Sequence, residues 1–279
     1  MNIAIATVSS SSFINGTRVL LHSFLKHNYW FNGDILIICD EEEIESSGSL
    51  DQFPNLKFIF PDKKLLEKIE VLKASDSNYD SKYIRFLSIE SFNQNDYDKI
   101  LFLDSDMICL GDVEEIFHSS GDFLACPDYR NLLGFYRDPM SFKPIHHSNE
   151  NFNADSHFPS FNTGLMLIGK KYLNKSTYVD LCDLITYDRY KHITTNQTDT
   201  VALNLKFKDD VNWIDSDYNS YTRYLYLQKK SIESDWISSY KFIHFLGKDK
   251  PWLYLDSTDS YPFNIEILHY WIKLLNEVI

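Results

Sequence analysis

The sequence predicts an α/β fold: a mostly parallel sheet flanked by helices, in a single domain spanning 1–279. Three observations carry this. Short apolar runs alternate with stretches of helical period through the first half of the chain. One run, Ile100-Leu101-Phe102-Leu103, ends abruptly in two carboxylates, Asp104 and Asp106. A buried strand whose carboxyl end opens into a site has this form. The N-terminus reads as strand, small-residue turn and helix, a βα opening whose loop often receives a nucleotide.

Asn2 to Val8 is the first expected strand, Ser9 to Ser12 the turn, and about Asn15 to His27 the helix. Its Leu20, Leu21, Phe24 and Leu25 form one packing stripe. The glycine-rich dinucleotide fingerprint is absent, which disfavours a dehydrogenase. Asp34 to Cys39 and Lys57 to Phe60 read as strands. Lys63 to Lys73 and Asp80 to Phe92 read as helices; Arg85 in the second, taken alone, is a surface charge. Phe123 to Cys126 is another strand. From Tyr129 to Ser160 the chain is polar, low in periodicity and broken by three prolines. A loop that long inside a compact domain is functional or mobile. His146, His147 and His157 lie in it at no standard zinc spacing and read as surface histidines. Order returns with strand Leu165 to Ile168 and helical period over Lys171 to Tyr190 and Thr198 to Phe207. Asp199, near the start of that last stretch, reads as either a cap or a catalytic acid. Strands Val211 to Ile214 and Lys241 to Phe245 and a helix over Pro262 to Val278 close the chain.

The net charge of −13 argues against nucleic acid or an anionic membrane as partner. With 44% apolar and 15% aromatic residues a core can be built. Cys39, Cys109, Cys126 and Cys182 form no CxxC pair and read as small buried hydrophobes in a reducing compartment. No basic region precedes the short apolar start, and no run is long enough to span a bilayer. The expected location is cytoplasmic, without signal peptide or transmembrane segment.

Residues i and i+2 of an extended chain point to the same side, so Asp104 and Asp106 can converge on one cation. A hard divalent ion held by carboxylates and completed by substrate phosphates is a common way to hold a nucleotide. Spacing alone does not select this pair, because Asp96-Tyr97-Asp98 and Asp215-Ser216-Asp217 share it.

The ordered set of blocks resembles the family 8 glycosyltransferases, the group of glycogenin and the bacterial lipopolysaccharide galactosyl- and glucosyltransferases. The N-terminal strand and turn, Tyr83-Ile84-Arg85-Phe86, the stretch from Tyr97 to Asp106 with Gly111 to Phe117, Phe161-Asn162-Thr163-Gly164, and His244 through Gly247 and Lys250-Pro251-Trp252 all carry it. The resemblance implies a Rossmann-like GT-A fold and a metal-dependent retaining transfer of a hexose from a UDP-sugar to a hydroxyl acceptor, carbohydrate or protein. Glucose is the first expectation for that hexose and galactose the second.

It further implies that Asp104, Asp106 and His244 hold Mn²⁺, with Mg²⁺ as the alternate ion. Ser105, Gly247 and Lys250 would meet the donor with them. Ala6, Thr7 and the following loop would hold the uridine, with Phe13 against the base. Arg85, Asp128, Asn162 and Asp199 would surround the sugar, Asp199 near the anomeric carbon. The Tyr129 to Ser160 segment would serve as an acceptor-side lid, and a homodimer is compatible with the family. One departure stands out: the family's Asp-Gln pair is here Asp199-Thr200, with Gln197 nearby. A glycogenin-like protein glucosylates its own tyrosine, for which Tyr218, Tyr221, Tyr224 and Tyr226 are candidates. A DxD phosphohydrolase and an inactive sugar-nucleotide-binding module are the rival readings.

Overall fold

The computed structural model describes all residues except 47, 194–196, 223–224, 226–238, 256–260, 262–264 and 279. The chain opens with β1 (Ile3–Val8), α1 (Ile14–His27), β2 (Asp34–Ile38), α2 (Glu42–Ser46), β3 (Leu56–Ile59) and α3 (Lys63–Ser75). Next come β4 (Lys99–Leu103), β5 (Met107–Cys109), α4 (Glu114–Phe117), β6 (Phe123–Pro127), α5 (Tyr129–Leu132), β7 (Phe135–Arg137) and β8 (Pro144–His146). The remaining elements are β9 (Phe161–Gly169), α6 (Lys175–Leu184), α7 (Tyr187–Tyr190), α8 (Asp199–Phe207), β10 (Asn212–Trp213), β11 (Ser220–Tyr221), β12 (Phe242–His244) and α9 (Ile265–Val278).

The main sheet has seven strands in the order β10-β6-β9-β4-β1-β2-β3. All pairings are parallel except those of β9, which runs antiparallel to both β4 and β6. From β1 the chain steps outward through β2 to β3, and then returns to place β4 on the other side of β1. The strand order therefore reverses between β1 and β4, and their carboxyl ends flank a crevice of the kind that receives ligands in open α/β sheets.

Both faces of the sheet are covered at its centre, which is why β1, β2, β4 and β6 are largely apolar runs. Ala4, Leu36, Ile100 and Phe102 face one buried cluster, shared with residues of α3, α6 and α8. Ile5, Ile35, Leu101 and Leu103 face the other, where Leu20, Leu21 and Phe24 of α1 pack. The next stripe of α1, at Val19, meets Trp271, Leu274 and Leu275 of α9 and Ile108 of β5. Asn28 ends α1: its side chain donates to Phe24 O at 2.9 Å and accepts from Val113 N at 2.9 Å.

Several elements depart from their expected form. Tyr83–Asn93 winds as 3₁₀ turns rather than an α-helix. Apolar residues about three apart suit either winding, and Phe86 to Phe92 are buried all round. The helical stretch expected over Lys171 to Tyr190 breaks into α6 and α7 because two caps intervene. Asn174 accepts from Thr177 N at 2.9 Å, and Thr186 accepts from Arg189 N at 3.4 Å. The 129–160 segment is not structureless: it holds α5, the β7–β8 hairpin and a bridge between Arg137 and Phe158. Pro262, the expected start of the last helix, lies outside the described residues. Among the described residues no helix is long and apolar enough to cross a membrane. All four cysteines are free and buried.

Two buried polar residues give stability predictions. Asn204 of α8, fully buried, accepts from Phe161 N at 2.8 Å and donates to Phe161 O at 3.0 Å. Asn204→Ala strands both peptide groups and is expected to cost about 2–3 kcal/mol. Thermal unfolding should show a loss of several degrees, and an unchanged midpoint would refute it.

Glu90, 1% exposed, accepts from Asp62 N at 2.9 Å and Tyr178 Oη at 2.6 Å. Burial pushes its carboxyl up from the ordinary value, and these donors offset only part of the rise. The folded chain thus holds this proton more tightly than the unfolded one. The stability it brings is complete below the ordinary carboxylate value and is lost as pH rises through the raised folded value. Glu90→Gln removes that dependence. Its melting temperature relative to wild type should rise as pH climbs above the ordinary carboxylate value; a constant difference would refute the assignment.

Candidate active site

The site forms where strands from distant parts of the chain meet. β4 ends at Asp104, whose N–H donates to Gly164 O at 2.8 Å. After the turn, β5 leaves the main sheet and pairs antiparallel with β12, Met107 opposite His244. Phe245 N donates to Asp106 O at 2.8 Å. This small sheet returns His244 to the aspartates. Asp104, Asp106 and His244 each offer a ligand atom, all within 4.8 Å of one another. His244 Nε2 lies 3.1 Å from Asp106 Oδ1 and 3.6 Å from Asp104 Oδ2. Two carboxylates and an imidazole fit a divalent ion such as Mn²⁺. This is the one such cluster among the described residues.

Lys250 joins it. Its ammonium donates to Asp106 Oδ2 and, at 3.1 Å, to Phe245 O. The same ammonium lies 5.2 Å from the Phe13 ring centroid, and Phe13 meets Trp252 edge-on at 5.3 Å. Gly16 of α1 supports the turn from below. A Cβ there would stand 2.6 Å from Ser105 O and 2.8 Å from the Trp252 ring, so α1 packs on the aspartate turn itself. Gly247 takes the left-handed conformation at φ +61°, which a glycine adopts without strain.

The two aspartates are pushed in opposite directions. Burial and the neighbouring Asp106 charge push the Asp104 carboxyl up, with His244 opposing. Its side chain keeps 40% of its exposure, so water damps this rise. Burial would also raise Asp106, but Lys250 and His244 outweigh it and hold that carboxyl well below the usual range. Asp199, 6% exposed, is raised by burial, with Ser88 Oγ at 2.9 Å and Thr198 Oγ1 at 3.0 Å donating to it and Arg85 also opposing. Its charge acts on Asp104, which places it near the aspartate pair.

The other expected site residues sit as follows. Asn162 Oδ1 accepts from Asn219 Nδ2 at 2.8 Å, and Asn219 contacts His244, so Asn162 joins the cluster through one intermediary. Arg85 is exposed on the 3₁₀ segment and reaches this group through Asp199. Asp128 N-caps α5, accepting from Arg130 N at 2.6 Å and Ser160 Oγ at 3.1 Å and pairing with Arg137. The Ala6 side chain lies in the core, so only its backbone can meet a ligand. Thr7 is 2% exposed and its Oγ1 has no partner among the described residues. Thr200 shares a hydrogen bond of 3.0 Å with Thr163.

The rival triplets have structural work. Asp98 accepts from Asn2 N at 2.7 Å, and Asp215 caps the turn at Ser216 by accepting from Asp217 N at 2.9 Å. Tyr218 and Tyr221 are 8% and 4% exposed, and Tyr218 Oη donates to Glu115. Tyr224 and Tyr226 lie outside the described residues. Sequence reasoning missed Asn219, Gly16, Ser88 and Arg137: each lies in a stretch already read as helix, loop or tyrosine-bearing segment, and nothing in the pattern singled it out.

The description "Glycosyl transferase family 8" matches residues 4–256. A "Probable galacturonosyltransferase-like 4" of Arabidopsis thaliana is 25% identical, the match taking in 91% of this chain and 74% of the relative. Among solved structures, the galactosyltransferase LgtC in complex with donor and acceptor sugar analogues is similar at TM-score 0.67. It is 16% identical, with 99% of this chain and 96% of that chain covered. Mouse xyloside xylosyltransferase 1 is similar at TM-score 0.51 and 17% identity, over 87% of this chain and 96% of that chain. These likenesses give the GT-A fold. The family match takes in every strand from Ala4 onward, and on that ground the chain belongs to glycosyltransferase family 8.

Proposed function

We propose that this glycosyltransferase is a metal-dependent, retaining enzyme that moves a hexose from a UDP-sugar to a hydroxyl acceptor, glucose being the first candidate and galactose the second. The observation that carries this is the Asp104, Asp106 and His244 cluster at the β1–β4 crevice, with Lys250 beside it. When bound there, Mn²⁺ (or Mg²⁺) would supply positive charge to the diphosphate of the leaving nucleotide.

The chain's own groups do the rest. Lys250 exchanges Asp106 for a phosphate oxygen, adding a second cation where negative charge develops. Gly247 and Ser105 offer backbone to the same group, while Thr7, the Ala6 backbone and the Phe13 ring hold the uridine. Asp199, carrying a raised carboxyl, stands on the sugar side with Asn162 and Arg85. Three of the roughly four acceptor sites of the Asp128 carboxylate are taken. Asp128 therefore offers the sugar one acceptor and otherwise fixes the start of the 129–160 segment, which serves as the acceptor-side lid.

The names of the relatives cite galacturonosyl, galactosyl and xylosyl transfer, so the sugar has to be decided by assay. Purified protein with Mn²⁺ should release UDP from one hexose donor above all others in a panel that includes UDP-glucose, UDP-galactose and UDP-galacturonate. No release from any donor, together with no UDP-dependent rise in melting temperature, would overturn the reading. A product with inverted anomeric configuration would overturn retention alone.

A further inference from the structure

We infer that Asn219 is a positioning residue that sets the His244 ring for a metal ion, acting as a relay from the backbone of β9. This rests on the metal-site reading above. The contacts start at a group that can only donate. Gly164 N–H gives its hydrogen to Asn162 Oδ1 at 2.8 Å, which fixes that atom as the oxygen of the amide. The same oxygen lies 2.8 Å from Asn219 Nδ2, which must then be the nitrogen. Asn219 Oδ1 is left facing His244 Nδ1 at 2.9 Å. An amide oxygen only accepts, so Nδ1 carries a proton, and Nε2 is the nitrogen that gives up its proton to take an ion. Nε2 is thereby turned toward Asp104 and Asp106, from which it is 3.6 and 3.1 Å away.

Burial makes the relay rigid. Asn219 is 1% exposed and His244 2%, so little water competes for either. A ligating histidine held through its other nitrogen is fixed in tautomer and in ring orientation, and loss of such a partner typically weakens metal binding about 10–100-fold. The relay has a second consequence. Both acceptor positions of Asn162 Oδ1 are spent on Gly164 and Asn219. The Asn162 amide can therefore serve a sugar only as a donor, through Nδ2. One buried amide fixes both the metal ligand and the sense of the hydrogen bond on the sugar side.

The test compares Asn219→Leu with Asn219→Asp by Mn²⁺ titration without donor, and records by ¹⁵N NMR of wild type whether His244 Nδ1 carries a proton. Leucine keeps the volume and removes the acceptor; aspartate keeps an acceptor for Nδ1. Mn²⁺ affinity should fall about 10–100-fold in Asn219→Leu and stay within a few-fold of wild type in Asn219→Asp. The wild-type spectrum should show a proton on Nδ1. Equal losses in both variants would mean a merely structural role and would overturn the inference. So would a folded Asn219→Leu protein that binds Mn²⁺ like wild type, or a wild-type ring with no proton on Nδ1. Wild-type protein that binds no Mn²⁺ while showing a proton on Nδ1 would instead overturn the metal-site reading and leave the relay standing.

Discussion

Asp106→Ala is expected to abolish both Mn²⁺ binding and sugar transfer. Asp106 is the carboxylate held ionised across the working pH range, because Lys250 and His244 flank it. Its neighbour Asp104 would be left as the only carboxylate of the cluster. Without Asp106 the ion would keep one weak carboxylate and one imidazole, and Lys250 would add repulsion. Loss of a preorganised charge-stabilising group costs about 10²–10³-fold in turnover, and loss of the ion itself should exceed that. Removing one partner of a buried pair costs up to about 3–5 kcal/mol. Here Asp104 is also relieved of a like charge and Lys250 keeps Phe245 O, so the folding cost should fall below that range. UDP release and Mn²⁺-dependent melting report the two effects separately. Activity within tenfold of wild type, with Mn²⁺ stabilisation intact, would remove Asp106 from the site.

The sequence made one half of this site readable by its own physics and hid the other half. A run of four buried apolar residues ending in two acids marks a strand end opening on a crevice, and β4 has that form. His244 and Lys250 offered no such signal. Their blocks became legible through family resemblance, since the pairing of β5 with β12 that joins them is a tertiary event between short strands. The direction of β9 was equally hidden. A strand buried on both faces reads the same in either direction, so its antiparallel course is set by the connections around it. The β7–β8 hairpin escaped for another reason: three-residue strands are too short to display a period. Asn219 sat in a polar stretch, and only contacts can show that a polar residue there is 1% exposed.

Gly164→Ala carries the second large effect, and it reaches the metal site without touching a ligand. A methyl group at this position would lie 2.4 Å from His244 Cε1, 2.8 Å from its Nδ1 and 2.9 Å from Asn162 Oδ1. None of these atoms can yield cheaply. The His244 ring is buried and tied to Asn219, while Asn162 is tied to the Gly164 backbone itself. The Gly164 carbonyl also anchors Asp104 N, so a shift of β9 would move an aspartate as well as the histidine. Overpacking of this kind costs about 1–3 kcal/mol in stability. Displacing the ring from the ion should weaken Mn²⁺ binding about 10–100-fold, with transfer falling at least as far. The glycine of the Phe161-Asn162-Thr163-Gly164 block is thus explained by the space a histidine ring needs. A Gly164→Ala protein that melts like wild type and binds Mn²⁺ with unchanged affinity would show that the ring does not pack there.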